Sequence, residues 1–148
     1  MRTKILVSLT VIIFLAACTK QKYDTKPQIT FKKASTTTLN HNETITFNME
    51  VTDAEGDIHD TMWIQKVVRN CSSSNFTAKY KMPDFASTKN LKAQLDVCFA
   101  YGNNLGCPVI SGPACPNRND TATFRFWIKD KGGNVSDTVV SPTIVILK

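Results

Sequence analysis

From Glu43 to Thr52 the chain alternates without a break. Ile45, Phe47, Met49 and Val51 fall on one side, and Thr44, Thr46, Asn48, Glu50 and Thr52 on the other. A period of two marks a strand with one dry face and one wet face. The same pattern returns at 91–101, where Leu91, Ala93, Leu95, Val97, Phe99 and Tyr101 share a side. It returns again at 121–130, where Ala122, Phe124, Phe126 and Ile128 oppose Thr123, Arg125, Trp127 and Lys129. Lys92, Ala93, Gln94 and Leu95 favour helix by composition, but the alternation decides for a strand. Ile29 and Phe31 predict a shorter strand, and TMWIQKVVR at 61–69 another. The stretch 134–147 reads as a long last strand in which Pro142, unable to donate to a ladder, forces a bend, a bulge or an edge position. No amphipathic helix of useful length appears. Several alternating strands joined by polar turns imply an all-β sandwich. Residues 71–120 exceed a plain connection and read as an elaboration, with turn-formers at Gly102-Asn103-Asn104 and Ser111-Gly112-Pro113.

A different pattern opens the chain. Residues 5–17 are uncharged and mostly apolar, short of the roughly 20 apolar residues a spanning helix needs. Arg2 and Lys4 precede the run and small residues close it, as in a secretory signal peptide. Its end, Leu15-Ala16-Ala17-Cys18, resembles the lipobox of bacterial lipoproteins. That resemblance implies cleavage before Cys18 and diacylglycerol on its sulfur. Two or three acyl chains anchor stably where one does not. By the same resemblance, Thr19 in place of an Asp after the Cys implies passage to the outer membrane, and the lack of acidic residues just after it favours a periplasm-facing position over the cell surface. The expected organisation is a signal peptide at 1–17, a polar tether at 18–27 and one domain at 28–148.

The formal net charge is +6, of which Arg2 and Lys4 leave with the signal. A modest positive balance suits anionic lipid or polysaccharide, or simply a solvated Lys-rich surface. No basic helix or aromatic-basic strand motif points to nucleic acid. With Cys18 assigned to lipid, Cys71, Cys98, Cys107 and Cys115 make an even set for an oxidising compartment, hence two disulfides. Of the three connectivities, Cys107 with Cys115 and Cys71 with Cys98 is the one expected here. Zinc is disfavoured, because no C-x-x-C pair exists and His41 and His59 lie far from the cysteines.

VTDAEGDI at 51–58 and WIKDKGGNVSDTV at 127–139 resemble elements of immunoglobulin-like or cadherin-like modules of bacterial envelope lipoproteins. The resemblance implies an immunoglobulin-like antiparallel β-sandwich, from whose standard form the disulfide-stapled elaboration at 71–120 departs. Antibody-type domains differ, since no Cys lies at 43–52 or 121–130. In such a sandwich the loop carrying Asp53, Glu55, Asp57 and Asp60 would meet the hairpin carrying Asp130 and Asn134 at one end. Converging carboxylates repel unless a cation separates them, and Ca²⁺ takes carboxylate and carbonyl oxygens from flexible loops. The candidate ligands are Asp53, Glu55, Asp57, Asp130 and Asn134. The plainer account is turn chemistry, which Asp and Gly supply by themselves.

No catalytic residue is assigned. There is no G-x-S-x-G. His59 has only sequence-neighbour acids, His41 sits in a polar turn, and the acids cluster in one loop instead of spanning a cleft. By alternation Trp127 points outward beside Arg125 and Lys129, where it could contact a ligand by stacking on a sugar or a partner side chain. The favoured reading is that Phe76, Tyr80 and Phe85 of the elaboration cover it. Asp60-Thr61-Met62, Asp120-Thr121-Ala122 and Asp137-Thr138-Val139 resemble an acid-Thr-aliphatic O-glycosylation signal. The expected function is a lipid-anchored, non-catalytic binding or structural module with a protein or glycan partner, and calcium is its one candidate cofactor. The rival is a small envelope hydrolase using the acidic loop 53–60.

Overall fold

The computed structural model describes residues 22–103 and 105–148. The expected signal peptide, Cys18 and the first part of the expected tether lie outside the described residues. Ten strands follow in chain order: β1 (Gln28–Ala34), β2 (Thr38–Leu39), β3 (Thr44–Asp53), β4 (Thr61–Val68), β5 (Phe76–Lys81), β6 (Leu91–Tyr101), β7 (Val109–Ile110), β8 (Asp120–Lys129), β9 (Val139–Val140) and β10 (Ile144–Ile146). One 3₁₀ turn, Ser72–Ser74, separates β4 from β5.

The strands form two sheets. One has the order β1-β3-β6-β7 and the other β2-β10-β8-β4-β5, with β9 beside β8. The all-β, immunoglobulin-like sandwich implied by the sequence is the fold observed. The alternation that predicted β3 and β8 reads out directly as burial, every second residue dry in each. Phe47 from one sheet lies 4.7 Å from Phe124 and 5.1 Å from Phe126 of the other, ring centroid to centroid. Fully burying one such side chain is worth about 1.5–3 kcal/mol.

The structure redraws three expectations. The long last strand is two short pieces, β9 and β10, interrupted around Pro142. Ser141 takes up the break: its hydroxyl accepts from the Phe124 backbone N–H and donates to the Pro142 carbonyl. Residues 22–27, expected as part of a tether, lie against the sandwich. The Lys22 backbone N–H donates to Asn90 Oδ1, the Asp24 carbonyl accepts from the Ala54 N–H, and Pro27 is buried.

Finally, the cysteines pair otherwise than expected. Cys71 bonds Cys115, and Cys98 bonds Cys107. The reason is register. β7 runs parallel to β6 with Val109 beside Ala100, which places Cys107, two residues before Val109, next to Cys98, two residues before Ala100. Cys71, which follows β4 in the opposite sheet, is left to pair with Cys115.

Candidate metal centre

The β3–β4 loop begins with Asp53, the last residue of β3 and fully buried. One of its oxygens, Oδ2, accepts from the Gly56 N–H at 2.5 Å and the Asp57 N–H at 3.3 Å, so the carboxylate folds its own loop into a turn. Gly56 has φ +71°, and a side chain there would strike the backbone of Thr88; only glycine fits. Its fit brings the 82–90 segment down over the loop. On the other side the Lys131 N–H donates to the Asp57 carbonyl, stitching this loop to the turn after β8. In that turn Asn134 donates to both oxygens of Asp130, from its backbone N–H at 2.7 Å and its amide at 2.8 Å.

The result is a ring of acids. Ligand oxygens of Asp53, Asp57 and Asp130 all lie within 4.8 Å of one another. Asp53 Oδ1 and Asp57 Oδ1 are buried and have no hydrogen-bond partner. Among the described residues no Lys or Arg pairs with these three carboxylates. Burial pushes the Asp53 carboxyl above its ordinary range. The Gly56 and Asp57 N–H groups pull it back, and the charges of Asp57 and Glu55 push it further up. Two unit charges at this distance repel by roughly 3 kcal/mol at an effective dielectric of 20.

A cation resolves the conflict geometrically. Calcium holds oxygens at about 2.3–2.6 Å, so two ligands on opposite sides stand up to about 5 Å apart. The ring matches that span, and the two orphaned oxygens are the kind of donor such an ion recruits.

Of the five candidate ligands, three converge. Glu55 is exposed and accepts from the Thr25 hydroxyl, and Asn134 acts as the clamp that aims Asp130. Asp60 accepts from the Thr61 hydroxyl. His59 is buried with its ring on Phe85, and His41 lies edge-on to Tyr101. Of the three candidate glycosylation threonines, Thr138 is exposed, Thr121 half-buried and Thr61 buried.

The expected cover over Trp127 is not there. Phe76 and Tyr80 turn inward onto Phe99, and β5, which carries them, extends the sheet edge instead of lying across its face. Trp127 instead stacks on Trp63.

Sequence reasoning also missed Lys66. It alternates inward with Ile64 and Val68 and is wholly buried, its ammonium 2.9 Å from Asp120 Oδ2 and 3.2 Å from the Ser111 carbonyl. Ser74 donates to the other Asp120 oxygen and accepts from the Ala114 N–H. The period of two would have flagged it: Lys66 is the one cation on the dry side of β4.

No family model matches the chain, and no curated protein is similar to it. Among solved structures it is similar to Spo0M, a sporulation control protein from Bacillus subtilis, with 10% identity and a TM-score of 0.43 over 83% of this chain and 50% of that one. The chain therefore spans about half the length of that protein.

Proposed function

We propose that the chain is a lipid-anchored protein of the bacterial envelope, held at the outer membrane and facing the periplasm. Its sandwich is a non-catalytic binding or structural module in which calcium ties the two acidic loops together. The observation that carries the calcium reading is the convergence of Asp53, Asp57 and Asp130 with two buried oxygens left over. The anchor rests on Leu15-Ala16-Ala17-Cys18.

The hydrolase alternative finds less support. Asp53 and Asp130 are 0% and 1% exposed, whereas two carboxylates cleaving a glycosidic bond must flank a substrate that lies between them. Acids so enclosed suit an ion better than a sugar ring.

Calorimetric titration of the full chain with CaCl₂, after chelation, tests the ion. Heat of binding is expected, with a melting temperature raised on the order of 10 °C at a hundredfold excess over Kd. No heat and no shift at millimolar calcium removes the ion from the function. Intact mass of the membrane-extracted protein tests the anchor: the expected species begins at Cys18 with acyl chains attached, and an unmodified sulfur refutes it.

A further inference from the structure

The outer face of the six-stranded sheet carries an arrangement separate from the acidic loops. In the β4–β8 register Trp63 lies opposite Trp127. Their rings are parallel within 4°, with centroids 6.1 Å apart. On the other side of Trp63, across β4–β5, stands Lys79, its ammonium 5.6 Å from the Trp63 ring. One step along the strands Arg125 lies opposite Gln65 and reaches its amide oxygen at 3.5 Å.

Beside Trp127 is an open depression of about 410 Å³, lined by Gln65, Arg125, Trp127, Thr138 and Val140. The outward positions of β4, β5 and β8 hold Lys79, Lys81, Arg125 and Lys129 and no Asp or Glu. Lys81 pairs with Asp84; among the described residues, Lys79, Arg125 and Lys129 have no carboxylate partner.

Each component has a counterpart in one ligand chemistry. An indole offers a flat apolar surface on which the C–H face of a pyranose packs. Gln65 and Thr138 offer donors and acceptors for hydroxyls at the edge of that ring. A guanidinium matches a carboxylate with two parallel hydrogen bonds. Uncompensated cations around the platform select a polyanion by charge. A protein partner fits less well, because lysine is depleted from the cores of protein interfaces. The two stacked tryptophans lie half-buried on the sheet face beside this depression and leave part of each indole open to a ligand.

We propose that this face binds an acidic polysaccharide, a uronate ring stacking on Trp127 with its carboxylate against Arg125. The inference rests on the binding role given above and on neither calcium nor the anchor.

The test is affinity electrophoresis of the full chain in mild detergent and chelator, through gels holding polygalacturonate or neutral dextran, paired with tryptophan fluorescence titration. Polygalacturonate is expected to retard the protein and change its fluorescence, with dextran at least about tenfold weaker and the affinity falling steeply with salt. Arg125→Glu, an exposed position, is expected to weaken binding at least about tenfold while leaving the melting temperature near that of the wild type. Trp127→Ala does the same and Trp127→Phe retains most of the affinity. Lys33→Glu, on the other sheet, changes little.

The proposal is overturned if polygalacturonate does not bind, if dextran binds equally, or if Arg125→Glu binds as well as wild type. It is also overturned if the Trp127-dependent signal comes from anionic phospholipid vesicles or from self-association seen by sedimentation. Because chelator is present throughout, loss of binding here leaves the calcium reading untouched, and the reverse holds as well.

Discussion

Asp53 shows how one residue can serve a fold and strain it together. Its Oδ2 organises the β3–β4 turn, while its Oδ1 is buried without a partner beside two other acids. Asparagine would keep an acceptor for the Gly56 and Asp57 N–H groups and drop the charge. Asp53→Asn is therefore expected to raise metal-free stability on the order of 1 kcal/mol and to abolish most of the calcium-induced rise in melting temperature. Thermal denaturation with and without calcium reads both effects. If Asp53→Asn destabilises the metal-free protein, the acids do not repel as described. Lys66 makes the opposite case. Its charge is matched by Asp120 at 2.9 Å in a dry site, so removing one partner strands the other. Lys66→Met alone should cost about 3–5 kcal/mol in denaturant unfolding, and the double change Lys66→Met with Asp120→Leu substantially less.

At the scale of elements, charge and covalent bonds tie strands that the core alone would leave free at their edges. Glu50 on β3 accepts from Lys32 of β1 at 3.3 Å and Lys92 of β6 at 3.1 Å, one carboxylate spanning three strands. Lys32 reaches it from a register irregularity between Phe31 and Lys33. The Lys92 hydrogen bond, with a lesser part from Lys32, holds the Glu50 carboxyl below its ordinary value against the opposing effect of burial. Glu50 also raises the Lys92 ammonium. A lowered carboxylate contributes stability that is present above the unfolded pKa, about 4.3, and is lost as pH falls through the lower folded value. Glu50→Gln should therefore flatten the acid limb of a plot of melting temperature against pH below about 4.3; an unchanged limb would show the bridge to be idle. The disulfides differ in the loop they close, with sequence separations of 44 for Cys71–Cys115 and 9 for Cys98–Cys107. On chain entropy alone, replacing the first pair by serine costs about 4 kcal/mol and the second about 2.5 kcal/mol. Urea unfolding of the two double-serine variants ranks them.

For the whole molecule, the sandwich places its chemistry in two regions. One end gathers loops from β3–β4 and from the turn after β8 into the acid ring, and the outer face of the larger sheet presents Trp63, Trp127 and their cations. The strand class, the dry faces of β3, β6 and β8 and the break at Pro142 follow from local alternation and proline chemistry, because each depends on residues one or two positions apart. The proposed leader at 1–17, before Cys18, rests in the same way on consecutive residues. The disulfide pairing, the meeting of Lys66 with its distant Asp120, and the stacking of Trp127 on Trp63 were settled by tertiary structure alone. Each joins residues between 9 and 64 positions apart, and a one-residue change of register would have given each a different partner. The acid ring stands between these cases. Its residues were visible as a cluster of acids and turns, but only the packing of two loops could show that Asp53, Asp57 and Asp130 meet while Glu55 turns to solvent.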